Sequence, residues 1–575
     1  MNEAFDIPVL IAGGGPMGLV LALELEYHGI GAILVERNLG TTRHPKMDIT
    51  SGRSMEVFRR LGVAEALRDV AVPSDHNLSV VWCDKPDGVE LARFDYPSVD
   101  EARTQLKNEN SGAMALEPSM RVSQVILEPV LKGVLERRSK HVELRFGWGL
   151  TELVQDENGV TAKIQSTESG EVKTIRCQYL AGCDGANSVA RRELGIHTNT
   201  VTPLQILGVG DRNNLMDEYR GKPPADAPRA PQRYMIHFKS PDREMFEKFG
   251  YAWHLQCPRS WAIIAQDDVD TWTVHTPPEL YPGVIDDADP KDVLFHLFGR
   301  EFECEVLVHN RWYPRLGLAD SYGEGRVWLA GDAVHQVIPT GGYGMNSGVG
   351  DVLGLGWVLA AQVNGWAGEH LFQAYESERR HVAARNRIAS GTHSGVRIKI
   401  REACPENLWD EGPEADAARA EIGHYIQELG NLENEAWGIE FGYRYDDSPA
   451  ICHEGGEAPA YEWERYEPTT WPGSRAPNVF LSDGEPLYDK FGRGFTLLST
   501  GEVACDHLVE AARAVGMPLE LLVVDDPLVA QLYERKLVLI RPDQHVAWRG
   551  NTQPETFENS LAVIDRVRGA TGRAA

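Results

Sequence analysis

Pro8-Val-Leu-Ile-Ala-Gly13-Gly14-Gly15-Pro16-Met17-Gly18, followed by a run that ends in Ile33-Leu-Val-Glu36, is the stretch that decides the fold. Val9 to Ala12 is the short apolar run of a buried parallel strand. Gly13, Gly15 and Gly18 stand at G-x-G-x-x-G spacing. The first glycine allows a tight turn, the second lets backbone approach a pyrophosphate, and the third packs helix on strand. Leu19 to Tyr27 reads as the crossover helix, whose first N–H groups favour an anion. Glu36 closes the second strand, where a carboxylate can take both ribose hydroxyls of an adenine dinucleotide. A glycine turn in an ordinary βαβ unit would leave Glu36 without a task.

The remaining 500-odd residues exceed what one simple core holds, so the 575-residue chain divides into two or three domains. A net charge of −28 argues against nucleic acid or an anionic membrane surface as partner, since both would repel it. No apolar run reaches the roughly 18 residues of a membrane span, and the first strand begins too early to leave room for a signal peptide. Eight cysteines occur singly with no C-x-x-C pair. That spacing offers no metal site or dithiol motif and predicts a cytoplasmic protein.

Beyond Glu36, Ser51 to Leu61 reads as a capped helix ended by Gly62, preceded by a polar loop carrying Arg37, His44, Lys46 and Asp48. Pro97 to Ala113 reads as polar and irregular. Arg121 and Gln124 open a helix running through Leu131. Strands follow, then a buried strand ending in Cys183-Asp184-Gly185-Ala-Asn-Ser188-Val-Ala-Arg191. From about residue 200 to 315, short strands carry Trp253, Trp261, Trp272 and Trp312 and suggest a mostly antiparallel sheet, with the tryptophans as core. A strand then ends in Gly331-Asp332-Ala-Val-His335. Pro339-Thr-Gly341-Gly342-Tyr343-Gly344-Met345-Asn346 leads into a long helix whose first N–H groups can face developing negative charge. Pro405 to Leu432 is acidic and partly helical, and Val479 to Ala547 offers a small α/β unit after a proline-rich boundary.

These three motifs, in this order, resemble those of the class A FAD-dependent aromatic monooxygenases, the phenol and 4-hydroxybenzoate hydroxylase-like family. The tail stretches Pro472-Gly-Ser-Arg475-Ala-Pro477 and Leu539-Ile-Arg-Pro542-Asp543-Gln-His545 resemble the phenol and polyketide hydroxylase branch. The resemblance implies an α/β fold. Its parts would be a discontinuous Rossmann-like, glutathione-reductase-type FAD domain (1–75, 116–198, 318–395), a β-sheet substrate domain (76–115, 199–317), a connector (396–467) and a thioredoxin-like C-terminal domain (468–575). It further implies that Gly13, Gly15, Pro16, Met17, Gly18, Glu36 and Arg37 meet the AMP end of FAD. Arg53, Arg121 and Gln124 would lie along the pyrophosphate and ribityl chain, with Asp332 on the ribityl hydroxyls. Pro339, Gly342, Gly344, Met345 and Asn346 would border the isoalloxazine, and Asp184-Gly185 would serve both FAD and NAD(P)H.

The implied reaction consumes NADH or NADPH and O2, passes through a C4a-hydroperoxide, and hydroxylates a small phenol ortho or para to its hydroxyl. Deprotonating the phenol lowers the barrier, so a base near the ring is useful. Asp48, five residues before Arg53, is the expected base if burial raises its pKa; His44 and Tyr343 are secondary candidates, and Asp48 as a mere helix brace is the competing reading. Lys46 stands where the family commonly has arginine. No second G-x-G-x-x-G provides a separate NAD(P)H domain. The W-x-W-x-I-P segment of flavin halogenases is missing. A Baeyer–Villiger oxygenase and a non-catalytic flavoprotein shielding an aromatic intermediate share the same motifs. The resemblance leaves a homodimer open.

Overall fold

The computed structural model describes residues 5–207 and 232–571; the 208–231 part of the tryptophan-rich block lies outside them. Strand Ile7–Ala12, helix Pro16–Tyr27 and strand Ala32–Glu36 form the opening βαβ unit. In the main sheet, parallel strands run in the order Val327–Leu329, Val172–Gly182, Ile7–Ala12, Ala32–Glu36, Val142–Phe146. Ala12 is level with Gly182, and Gly182 with Leu329. The three glycine-bearing motifs, far apart in sequence, therefore leave the sheet side by side at its carboxyl edge, where ligands bind in open α/β sheets. Helices Pro16–Tyr27 and Tyr343–Val363 pack on each other and are buried along most of their length.

The glycines explain how closely these pieces approach. A β-carbon on Gly18 would lie 1.8 Å from the Gly13 carbonyl oxygen, and one on Gly13, at φ +105°, would lie 2.3 Å from that of Cys183. Gly15 alone of the three faces open space. Two glycines hold the turn together and the third leaves room for something to approach.

A second sheet of seven strands joins Ser79–Cys83 and Glu90–Phe94 to five strands between Arg233 and Trp312. One face is apolar core, with Ile236, Leu255, Ile263 and Val274. The register puts His237, Thr273, Ile264 and His254 in one row across the other face, with Met235, His275, Ala262 and Gln256 in the next. Trp261 and Trp272 are core as expected, but Trp253 and Trp312 make polar contacts described below.

The expectation of an irregular 97–113 stretch is overturned: Val99–Glu109 is a helix. Ser98 and Glu101 form a reciprocal capping box, and Val99 and Leu106 bury its inner side.

The C-terminal unit has a four-stranded sheet in the order Leu519–Val523, Phe495–Ser499, Leu537–Ile540, Val546–Gly550, with only the first pair parallel. A buried ionic seam fastens it to the first domain. Arg475 pairs with Glu56, and Arg541 with Glu378 at 2.6 Å. The tail motifs are thus an interdomain clasp.

Candidate active site

At the carboxyl edge, the Glu36 carboxylate accepts from the Gly14 N–H at 2.7 Å and from the Asn38 backbone N–H at 2.8 Å. Arg37 is exposed beside it. Pro16 takes the first helical position, where its missing N–H costs nothing, and the helix has no side-chain cap. Met17 is buried between Gly331 and Gly348, so it spaces two motifs and presents nothing to a ligand. One Asp184 oxygen caps Val189 and Ala190 at 2.6 and 3.1 Å, while its Oδ1 is buried without a partner. Arg191 bonds the Ala333 carbonyl at 2.6 Å, tying the Asp184-Gly185 turn to the Asp332 turn. Asp332 itself is exposed.

Gly341 and Gly342 have φ of +86° and +65°, and so aim the first turn of helix Tyr343–Val363 at the loop before Ser51. Asn346 fixes that approach. Its Oδ1 accepts from the Ser51 N–H at 2.9 Å, and its Nδ2 donates to the Ile49 and Gly342 carbonyls. Its side chain is occupied, which leaves the uncapped N–H groups around Gly344 and Met345 as the donors of this turn. Pro339 is exposed at its rim. Beneath it, Asp351 is fully buried and held ionised: burial opposes this, but His335 at 2.8 Å and Arg379 at 3.0 Å lower its pKa.

Arg53 and Arg121 depart from expectation. Arg53 donates to Glu56 at 3.0 Å, to the Asp543 carbonyl at 2.8 Å and to Gln544. Arg121 forms a buried bidentate pair with Asp268 at 2.6 and 2.7 Å. Each guanidinium pairs with carboxylate and carbonyl groups at a domain junction, because a buried cation needs such partners, and Arg121 keeps a buried Nε without one. Gln124 donates to Glu128 at 2.7 Å, beneath the polar loop.

Asp48 lies where loop, second sheet and glycine turn meet. Its backbone is pinned by Val122, and the next residue, Ile49, abuts Gly342. The Trp253 indole N–H donates to its Oδ2, and His254 Nε2 lies 3.7 Å away, in ion-pair range but beyond a hydrogen bond. A register shift between Ala252 and His254 against Ser79–Val80 makes Trp253 a bulged residue, so adjacent residues reach one carboxylate. The expected upward pKa shift does not occur. Burial pushes the carboxyl up, but His254, the Trp253 N–H and the Arg121 charge together bring it below its ordinary value. Asp48 is ionised and weakly basic. His44 is exposed on the loop. Tyr343 is buried, its hydroxyl 2.9 Å from His393 Nε2, and burial raises its pKa, so it stays a neutral phenol.

A cavity of about 640 Å³ opens beside this corner, with Trp253, Gly341, Tyr343, Tyr96, Ala436 and Phe441 among its lining residues. Another hollow of about 580 Å³, around Ile7, Ala32 and His141, is at the opposite edge of the main sheet, away from every motif.

The FAD binding domain family matches residues 6–389, and the aromatic-ring hydroxylase C-terminal domain matches 469–570. The chain belongs to the class A FAD-dependent aromatic hydroxylase family. It is 36% identical to the FAD-dependent monooxygenase apdD of Emericella nidulans, over 95% of this chain and 87% of that protein. It is 27% identical to a phenol 2-monooxygenase of Pseudomonas sp. (strain EST1001), over 97% of this chain and 92% of the other. The solved flavin-dependent monooxygenase PieE, in complex with FAD and substrate, superposes with a TM-score of 0.82 at 28% identity, covering 99% of this chain and all of that one. This aromatic hydroxylase is a flavoprotein monooxygenase that uses FAD, NAD(P)H and O2. The residues present fit FAD: open space at Gly15, an uncapped helix beside it, and an unpartnered Asp184 oxygen at the motif edge.

The sequence missed Trp253 and His254. Their signal, two aromatic residues in a strand, is that of core, and the bulge that redirects them is not readable from one chain.

Proposed function

We propose that this enzyme hydroxylates a phenolic ring ortho or para to its hydroxyl, with the ring held in the corner formed by Asp48, the Trp253 bulge and the Gly341–Gly342 turn. The carrying observation is that an ionised carboxylate, a glycine turn with free N–H donors and an aromatic-lined cavity converge there. Bound FAD supplies the hydride acceptor for NAD(P)H and the means to activate O2. Glu36 would take the adenosine ribose, the turn at Gly15 the pyrophosphate, Asp332 the ribityl hydroxyls, and the N–H groups around Gly344 and Met345 the pyrimidine edge.

The ionised Asp48 would accept a hydrogen bond from the ring's hydroxyl and stabilise a cationic proton acceptor beside it. The aromatic walls, with Trp253 and Tyr343 closest to the turn, exclude water from the reacting ring. The strand order of the C-terminal unit supports a thioredoxin-like topology, and the parallel order of the main sheet supports the glutathione-reductase type. Eight unpaired thiols support a cytoplasmic setting. Among the described residues no helix is long and apolar enough to cross a membrane.

The test is a phenol panel on FAD-loaded enzyme. Acceleration of NAD(P)H oxidation with a catechol or hydroquinone product supports the reading; unmodified phenol and an unchanged rate across the panel refute it.

A further inference from the structure

The bulge that sets Trp253 against Asp48 brings a histidine with it, and that histidine is incompletely used. Both ring nitrogens of His254 are buried without a hydrogen-bond partner, although its side chain is only 13% exposed. Burying an imidazole without a hydrogen bond is costly, and Asp48, 3.7 Å from Nε2, leaves Nδ1 open to a second partner.

Two other histidines share this sheet face, and both are engaged. His237 bonds the Thr273 hydroxyl at 3.0 Å and His275 takes the Trp312 indole N–H at 3.2 Å. Burial depresses each to about 4, so neither is a useful proton acceptor at neutral pH. Asp48 is a poor acceptor for the reason given above.

The surroundings of His254 suit a ring that becomes charged. Asp48 faces it from the loop. Glu433, from the turn Leu432–Asn434, is held ionised by Arg397 at 2.6 Å and by the histidine charges, and its Oε2 is buried without a partner. Glu433 and Trp253 both line the cavity. The opposing charges are Arg397 on helix Leu371–Glu402, already paired with Glu433, Arg233 on the sheet, and Arg121 behind Asp48, neutralised by Asp268.

We infer that His254 accepts the phenolic proton of the substrate, with Asp48 as the positioning carboxylate that orients the ring and stabilises its cationic form. The substrate O–H bond breaks, an N–H bond forms on the imidazole, and the electron pair stays on the phenolate oxygen. Imidazolium then sits beside ionised Asp48. With Nε2–H turned to Asp48, Nδ1 is the accepting atom. This rests on the phenol-hydroxylation reading above.

The test compares wild type, His254→Asn and Asp48→Asn as FAD-loaded enzymes, with FAD content and thermal melting as folding controls. Probes are phenol, 1-naphthol and 1,8-dihydroxyanthraquinone, and kcat/KM for NAD(P)H-coupled hydroxylation is followed from about pH 5.5 to 10. His254→Asn is expected to lose about 10²- to 10⁴-fold at pH 7, to lose the acidic limb of the profile, and to recover as the pH nears the probe's own pKa. Asp48→Asn is expected to move the acidic limb to lower pH, because the imidazolium loses its counter-charge. His254→Asn within about twofold of wild type with its acidic limb intact would overturn the assignment. Should that variant fail to hold FAD, an Asp48→Asn limb that stays put or moves up overturns it equally. If wild type hydroxylates none of the probes, the phenol reading itself fails and the proton transfer falls with it.

Discussion

A methyl group at Gly18 would sit 1.8 Å from the Gly13 carbonyl, so the turn must open to admit it. Gly18→Ala is expected to cost about 1–3 kcal/mol and to yield colourless protein, checked by denaturant melts and FAD absorbance. Glu440, which lines the cavity and accepts from the Arg53 N–H at 3.1 Å, is pushed by burial up to about 7 from an ordinary 4.5. A raised acid favours the folded state in its protonated form, so its contribution is complete below about pH 4.5 and lost as pH rises through 7. Glu440→Gln should therefore flatten the loss of stability between these values, gaining on the order of 1–3 kcal/mol over wild type at pH 8. Parallel urea titrations at pH 5 and 8 with equal differences would refute this. The residue scale is also where sequence reading is weakest. Arg53 and Arg121 were readable as charged residues at motif positions, but their partners lie 491 and 147 residues away, and no local spacing announces Gln544 or Asp268.

Helix Gly52–Arg60 shows how elements share the work. Ser51 caps it, and Asn346 fastens its entry to the long helix. Its buried Glu56 takes Arg475 from the C-terminal unit. Removing one partner of a buried pair strands the other, so Arg475→Ala is expected to cost about 3–5 kcal/mol. Thermal melting should show the loss, and limited proteolysis should release the C-terminal unit, where the intact clasp resists. The opening βαβ unit, the capped helix and the glycine turns were legible because each is written in local chemistry. The helix Val99–Glu109 was legible too, in Ser98 and Glu101, but its polar composition masked the signal. The Trp253 bulge was not, since it depends on the register of a strand that pairs with Ser79–Cys83.

Across the whole molecule, two sheets, a connector and a tail meet around one corner, with three motifs aligned on adjacent strand ends and an aromatic cavity opening beside Asp48. The central claim is that this arrangement inserts an atom of O2 into a phenolic ring. The direct measurement is hydroxylation under ¹⁸O2 with FAD-loaded enzyme, NAD(P)H and a phenol of the panel, read by mass spectrometry of the product. The account predicts a catechol or hydroquinone carrying one ¹⁸O atom for each NAD(P)H consumed productively. Product whose new oxygen comes from water, or NAD(P)H consumption that ends entirely in hydrogen peroxide with the phenol unchanged, would contradict it.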